Sequence, residues 1–184
     1  MNTLIFNGSP RKDGDTTALI AMLTEALPGR VDAVDCYRAD IAPCADCRAC
    51  QTRFACAIQD QMQSVYERIL EADAIVIASP IFYSELTGKT LDVLSRLQPG
   101  YYARLRGEAG FANRPRRGGI LLAGGGDGSP NPAVARSKIL LRAMGCQEIA
   151  PPVMSLSTNA LPAAQDESAR AAARSLAAFL SQAQ

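Results

Sequence analysis

The chain has 184 residues, 48% of them apolar, and a net charge of +1. One globular domain over residues 1–184 with a real core is expected, and the balanced charge argues against a nucleic-acid surface. The absence of histidine removes Ser-His and Cys-His hydrolase chemistry and His-ligated metals.

No run reaches the ~18–20 apolar residues of a membrane span, so no membrane partner is expected. The first strand pattern begins at residue 3, with no leader ahead of it, which favours a cytoplasmic location. The six cysteines then read as reduced thiols or metal ligands rather than disulfides.

In chain order, a strand is predicted at 3–7. The small, hydroxyl-bearing and basic loop 8–15 follows. A helix then carries Leu19, Ile20, Leu23 and Leu27 on one face. A second strand at 31–36 leads into a long segment holding Cys44, Cys47, Cys50 and Cys56. That segment, an insertion at about 40–59, is too long for a plain connector. A helix opens at Asp60, with Gln63 completing a capping-box-like start and Met62, Val65, Tyr66, Ile69 and Leu70 on one face. A third strand at 74–79 runs into Ser79-Pro80-Ile81-Phe82-Tyr83, and a helix is predicted over 86–97. Arg104, Arg106, Arg114, Arg116 and Arg117 around Tyr101 and Tyr102 read as a solvated surface loop, with a grip on an NADPH phosphate or a partner subunit as the alternative. A fourth strand at 119–123 ends in Gly124-Gly125-Gly126-Asp127-Gly128. A helix at 133–144 is stopped by Gly145, a fifth strand covers 148–155, and a last helix starts near residue 165.

Alternating strands and helices imply an α/β fold with a parallel sheet covered on both faces. Five strands suggest a flavodoxin-like three-layer sandwich of order 2-1-3-4-5, whose ligand sits beyond the C-terminal strand ends. The unusual loops all follow strands, so they share that edge.

Strand, small polar loop and helix N-terminus together make an anion site, because free N–H groups and the positive helix end converge there. Ser9, Thr16 and Thr17 can donate hydroxyl hydrogen bonds, Arg11 adds charge, and Gly14 and Asp15 add backbone N–H groups. No Gly-Lys-Ser/Thr closes the loop, and its glycines do not fit the dinucleotide fingerprint. A single terminal phosphate remains, as in flavin mononucleotide (FMN). An ordinary strand-to-helix turn is the alternative. Pro80, Ile81, Phe82, Tyr83 and Ser84, together with Gly124, Gly125, Gly126 and Asp127, can flank a flat ring.

Cys44, Cys47, Cys50 and Cys56 form C-x2-C-x2-C-x5-C, which resembles the run that wraps a [4Fe–4S] cube. Zinc, free thiols and a Cys-x-x-Cys redox pair stay open. Cys36 and Cys146 read as buried apolar residues.

Together these residues resemble the NAD(P)H-dependent FMN reductases and, more narrowly, the iron–sulfur flavoproteins. Gly8, Ser9, Pro10, Arg11, Gly14 and Thr16 match a G-S-P-R-x-x-G-x-T element, and the four cysteines match in number and spacing. Asp60 and Met62 match a D-D-M helix start with Gln61 in place of the second acid, and Ser79, Pro80, Thr87, Gly88 and Arg96 match a third region. Phe82-Tyr83 inverts the usual Tyr-Phe, and Leu91 and Ser95 stand where Lys and Asp are common. The resemblance implies an FMN-dependent oxidoreductase with NAD(P)H as donor, a small-molecule or protein electron partner, and assembly as a homodimer or homotetramer. A cluster-free FMN or quinone reductase and a flavin-free metal-binding interaction module are the alternatives. No acid–base residue is assigned.

Overall fold

The computed structural model describes residues 1–182. They form β1 (Asn2–Asn7), α1 (Asp15–Ala26), β2 (Arg30–Asp35), α2 (Met62–Glu71), β3 (Ala74–Pro80), α3 (Gly88–Leu94), α4 (Gln98–Leu105), β4 (Arg116–Gly124), α5 (Asn131–Ala143), β5 (Cys146–Ile149), β6 (Val153–Leu156) and α6 (Glu167–Leu180). Every strand pairing is parallel, in the order β2-β1-β3-β4-β5, with β6 also on β4. The order is the expected one, but the fifth position holds two strands. β5 pairs with the start of β4 and β6 with Leu121–Gly124. Pro151 and Pro152 lie between them and have no N–H to give a ladder, so the predicted single strand at 148–155 breaks there.

Pleating sends alternate side chains to two cores. Leu4, Phe6, Ile75, Ile77, Ile120 and Leu122 pack on one face against Val65 and Ile69 of α2, Val93 and Leu94 of α3 and Leu141 of α5. Ile5, Val76, Ala78, Leu121 and Ala123 pack on the other against Leu19 and Leu23 of α1 and Ala173, Leu176 and Leu180 of α6. Each fully buried Leu or Ile contributes about 1.5–3 kcal/mol.

Helix starts differ from the sequence reading for local reasons. Asp60 does not open α2 as its first residue; its Oδ1 accepts from the Met62 N–H at 3.0 Å. Gln63 completes no capping box, because its amide donates to the Ile58 carbonyl at 2.6 Å. The helix expected over 86–97 ends earlier, passes through a 3-10 turn at Ser95–Leu97 and restarts as α4, whose Pro99 sits in the first turn, where proline loses no helical hydrogen bond. Among the described residues, no helix is long and apolar enough to cross a membrane.

The basic stretch is not a solvated loop at its end. Arg116 and Arg117 open β4 and both are buried. Arg116 turns to one face and donates to the carbonyls of Leu70 at 2.9 Å, Ala72 at 3.0 Å, Met144 at 3.4 Å and Phe111, and to Asn113 Oδ1 at 2.6 Å. It thereby caps the C-terminal ends of α2 and α5, where backbone carbonyls are unmatched and the helix dipole is negative. Arg117 turns to the other face, donating to the carbonyls of Phe179 at 2.8 Å and Gln182 at 2.9 Å around the end of α6, and pairing with Glu148 at 3.2 Å. Arg116→Met is expected to lower stability by about 3 kcal/mol, the scale of several buried acceptors left unmatched. Arg114→Ala, at a half-exposed ion pair with Asp73, should change it by less than about 1 kcal/mol. Urea unfolding of the two variants checks the contrast.

Candidate functional site

The C-terminal ends of β1, β3, β4 and β6 lie along one edge of the sheet, and the loops leaving them enclose a hollow of about 220 Å3. Ser9, Pro10, Arg11, Gly14, Asp15 and Thr16 line one side, Pro80, Ile81 and Phe82 the next, and Ala123, Gly125, Thr158 and Asn159 the third.

The loop after β1 is tied before any ligand enters. Asn7 Oδ1 accepts the Ser9 N–H at 3.0 Å, and Ser9 Oγ bonds both the carbonyl and the N–H of Arg11, at 3.0 and 3.2 Å. Thr17 Oγ1 also donates to the Arg11 carbonyl, at 3.2 Å, so its hydroxyl holds the loop rather than lining the hollow. Arg38 donates to the Pro10 carbonyl at 3.0 Å from outside. Gly8 permits the approach of α3: a Cβ there would meet Thr90 Oγ1 at 1.9 Å, and Thr87 Oγ1 donates to the Gly8 carbonyl at 2.9 Å. Gly14 is the N-cap of α1 and supplies no side-chain cap, so first-turn N–H groups are left to an outside acceptor. The Arg11 stem lies across Gly14, where a Cβ would meet Arg11 Cβ at 3.1 Å. The Asp15 carboxylate faces away from this role and accepts the Ala163 N–H at 2.9 Å.

Tyr83, Ser84, Gly124, Gly126 and Asp127 line a neighbouring hollow that shares Ile81 with the first. Phe82 and Glu85 exchange backbone hydrogen bonds at 2.9 and 3.0 Å across a turn whose central residues, Tyr83 and Ser84, have φ of 51° and 65°. This is the geometry of a type I′ turn. Two L residues in the left-handed region cost about 1–2 kcal/mol each, and the turn leaves the Tyr83 ring fully in solvent.

Thr158 and Asn159 were not foreseen. They leave β6 as the other unusual loops leave their strands, and Ser157-Thr158-Asn159 has the polar, small-residue character that marked those loops. The wall they form is fastened three ways. The Thr158 N–H donates to Gly124 O at 3.0 Å, Asp15 holds Ala163, and Asp166 accepts both the Ala169 N–H at 2.9 Å and the Ser155 hydroxyl at 2.8 Å. The Ala169 N–H first, and then Ser155, keep the Asp166 carboxyl below its ordinary value. The Asn159 carboxamide lies over Gly125, where a Cβ would meet its Oδ1 at 2.7 Å.

The four cysteines of the long loop line a second pocket, with Arg48, Arg96 and Tyr102 on its walls. Asp46 (φ 49°) and Arg48 (φ 62°) sit between successive cysteines in left-handed conformation, curling the loop. Arg106, assigned by sequence to the solvated stretch, donates to the carbonyls of Cys50 at 3.0 Å and Gln51 at 2.8 Å while paired with Glu108. The Cys44 N–H donates to Ser95 Oγ at 3.0 Å. Arg96, fully buried, pairs with Asp60 at 2.6 Å. The Asp60 carboxyl is held below its ordinary value: burial opposes the charge, but Arg96 and two backbone N–H groups outweigh it. Among the described residues, no group of three His, Cys, Asp or Glu side chains is disposed to hold a metal ion. All four cysteines line one pocket, the ligand type and number that a [4Fe–4S] cluster takes. Cys36 and Cys146 lie elsewhere, buried, with burial pushing each thiol up to about 12.

Comparison with known proteins places the fold and the family. The NADPH-dependent FMN reductase family model matches residues 1–160. An iron-sulfur flavoprotein of Methanocaldococcus jannaschii is 26% identical over 127 residues, covering 67% of this chain and 62% of its own length. One of Methanosarcina thermophila is 29% identical over 122 residues, covering 65% and 61%. The chain thus spans less than two thirds of the length of these curated relatives. Among solved structures, RosB with a bound flavin phosphate intermediate has a TM-score of 0.74 at 21% identity, covering 97% of this chain and 76% of that one. An NAD(P)H:quinone oxidoreductase of Methanothermobacter marburgensis has 0.69 at 14%, covering 100% and 98%. A Bacillus anthracis FMN-dependent NADH-azoreductase in complex with FMN has 0.68 at 17%, covering 99% and 100%. These likenesses carry the flavodoxin-like fold, and the family match carries the rest: the chain belongs to the NADPH-dependent FMN reductase family.

Proposed function

We propose that the protein is an FMN-dependent oxidoreductase of the iron–sulfur flavoprotein type, with FMN in the hollow at the C-terminal strand edge and a [4Fe–4S] cluster on Cys44, Cys47, Cys50 and Cys56. One observation carries the flavin reading. The uncapped start of α1, with Ser9, Arg11 and Thr16, faces Pro80, Ile81, Phe82 and Gly125 across a single hollow. The phosphate then belongs on Ser9, Arg11, Gly14 and Thr16 and on the Asp15 and Thr17 N–H groups. Ile81, Phe82 and Gly125 flank the ring. Tyr83, Ser84, Gly124, Gly126 and Asp127 in the adjoining hollow border its open side, and Thr158 and Asn159 close the remaining wall.

Bound there, FMN would supply hydride and electron-transfer chemistry, with NAD(P)H as donor. The chain's own residues bind, orient and shield. The tied loop presents the first-turn N–H groups of α1 without rearrangement, the Ser9 hydroxyl has to swing from the Arg11 carbonyl to reach a phosphate, and no side chain is needed as acid or base. The cysteine pocket supplies a one-electron site for a small-molecule or protein partner. Assembly as a homodimer or homotetramer and a cytoplasmic setting complete the reading; six free cysteines suit a reducing compartment. A cluster-free NAD(P)H-dependent FMN or quinone reductase is the second reading, favoured by the absence of a compact metal-holding group among the described residues. Iron and acid-labile sulfide analysis after anaerobic reconstitution separates the two.

Purified protein should be yellow, with one FMN per chain. Arg11→Ala should weaken FMN binding by about 1.5–3 kcal/mol, the scale of a charge-assisted hydrogen bond, and riboflavin should bind far more weakly than FMN. Fluorescence titration with both flavins checks this, and equal affinities would remove the phosphate loop from the account. Gly125→Val must displace the Asn159 carboxamide as well as intrude on the ring. It should lower flavin occupancy at an unchanged far-UV circular dichroism spectrum.

A further inference from the structure

Arg96 belongs to the 3-10 turn Ser95–Leu97, and its side chain is enclosed completely. Its NH1 donates to the Ala42 carbonyl at 2.8 Å and to Asp60 Oδ2 at 2.6 Å. Its NH2 donates to the Ile58 carbonyl at 3.2 Å and to Asp60 Oδ1 at 3.3 Å. Ala42 stands two residues before Cys44, and Ile58 two residues after Cys56. One guanidinium therefore closes the neck of the loop that carries all four cysteines. Asp60 works from the same point, its Oδ2 accepting the Ala42 N–H at 3.1 Å. Tyr66 fixes the turn itself by donating to the Arg96 carbonyl at 2.8 Å.

A guanidinium has five N–H donors, and four are accounted for by these bonds. The fifth, on Nε, is buried with no hydrogen-bond partner among the described residues. A buried donor left unmatched costs about 1–3 kcal/mol, which a sulfur acceptor in the pocket would offset. Arg96 lines the cysteine pocket, and the Cys56 thiol lies within reach of the guanidinium both as a hydrogen-bond acceptor and as a charge. The nearby cations Arg48 and Arg106 are paired with Asp46 and Glu108.

We propose that Arg96 is the positioning residue of the cysteine quartet: it holds the loop neck closed, and its Nε–H is the donor for a sulfur of the assembled cluster. The proposal rests on the cluster reading above. A hydrogen bond to a cluster sulfur favours the more reduced, more negative state and so raises the reduction potential. Arg96 thus acts twice, on whether the cluster stays and on how readily it accepts an electron.

The test uses the full chain carrying FMN, reconstituted anaerobically with iron and sulfide, as wild type, Arg96→Lys and Asp60→Asn. Arg96→Lys preserves the charge but loses the guanidinium fork. It should keep its FMN, lose iron to a chelator about 10-fold faster or more, and reduce with an equilibrium shifted at least tenfold toward the oxidised cluster, about 59 mV for one electron, read by electron paramagnetic resonance. Asp60→Asn retains Arg96 but loosens the neck. It should lose iron faster as well, with the midpoint of its remaining cluster near the wild-type value, and it decides the neck role if Arg96→Lys does not fold. Wild-type retention and midpoint in Arg96→Lys, or wild-type iron retention in Asp60→Asn, overturn the proposal while the cluster reading stands. A wild type that takes up no iron overturns the cluster reading and this proposal with it.

Discussion

Every strand in the sheet runs the same way, and this single constraint sorts the molecule into two ends. Neighbouring parallel strands are joined by crossovers, so α1, α3, α5 and α6 begin near the C-terminal strand edge and run back toward the opposite one. Positive helix starts and the loops that precede them gather at one edge, and negative helix ends gather at the other. Ser9, Phe82, Gly125 and Asn159 meet around one hollow because β1, β3, β4 and β6 all deliver them to the same rim.

The opposite edge needs positive charge, and β4 supplies it. Arg116 and Arg117 are neighbours, so pleating turns them to opposite faces. One gathers carbonyls from the ends of α2 and α5, the other from the end of α6. Arg96 and Arg106 repeat the device at the cysteine loop, again with backbone carbonyls as the main acceptors. A planar fork with five donors can bind several strands of main chain at once, which a lysine ammonium does far less well. The loops are therefore clamped from beneath by buried cations while their tips stay open to solvent.

What could be read in advance follows from what is local. The loop from Gly8 to Thr17 is contiguous, its hydroxyls, arginine and glycine fall within one turn of chain, and periodicity placed α1 after it. The quartet was legible for the same reason, four thiols within 13 residues. Contacts made across the fold were not. Nothing in the composition of 104–117 distinguishes an arginine that will cap two helices from one that will face water. The helix predicted over 86–97 misses the restart at Gln98, because the register in which Pro99 is tolerated is set by the fold. Pro151-Pro152 is a local signal for a break within the strand predicted at 148–155. Thr158 and Asn159 carried the same small polar signature as the earlier loops, but they lay beyond the last recognised motif.

That broken strand has a consequence for how copies of the molecule meet in a crowded solution. The outermost strand of a sheet is a row of unmatched N–H and C=O groups that can recruit a strand from another chain. Here one border is cut into two four-residue pieces by consecutive prolines. The other border, β2, carries Arg30, Asp32 and Asp35, with Asp32 paired to Arg30 and Arg68. Neither border presents the long, flat, uncharged edge on which strands stack, so a sheet apolar on both faces is kept from serving as a template for aggregation.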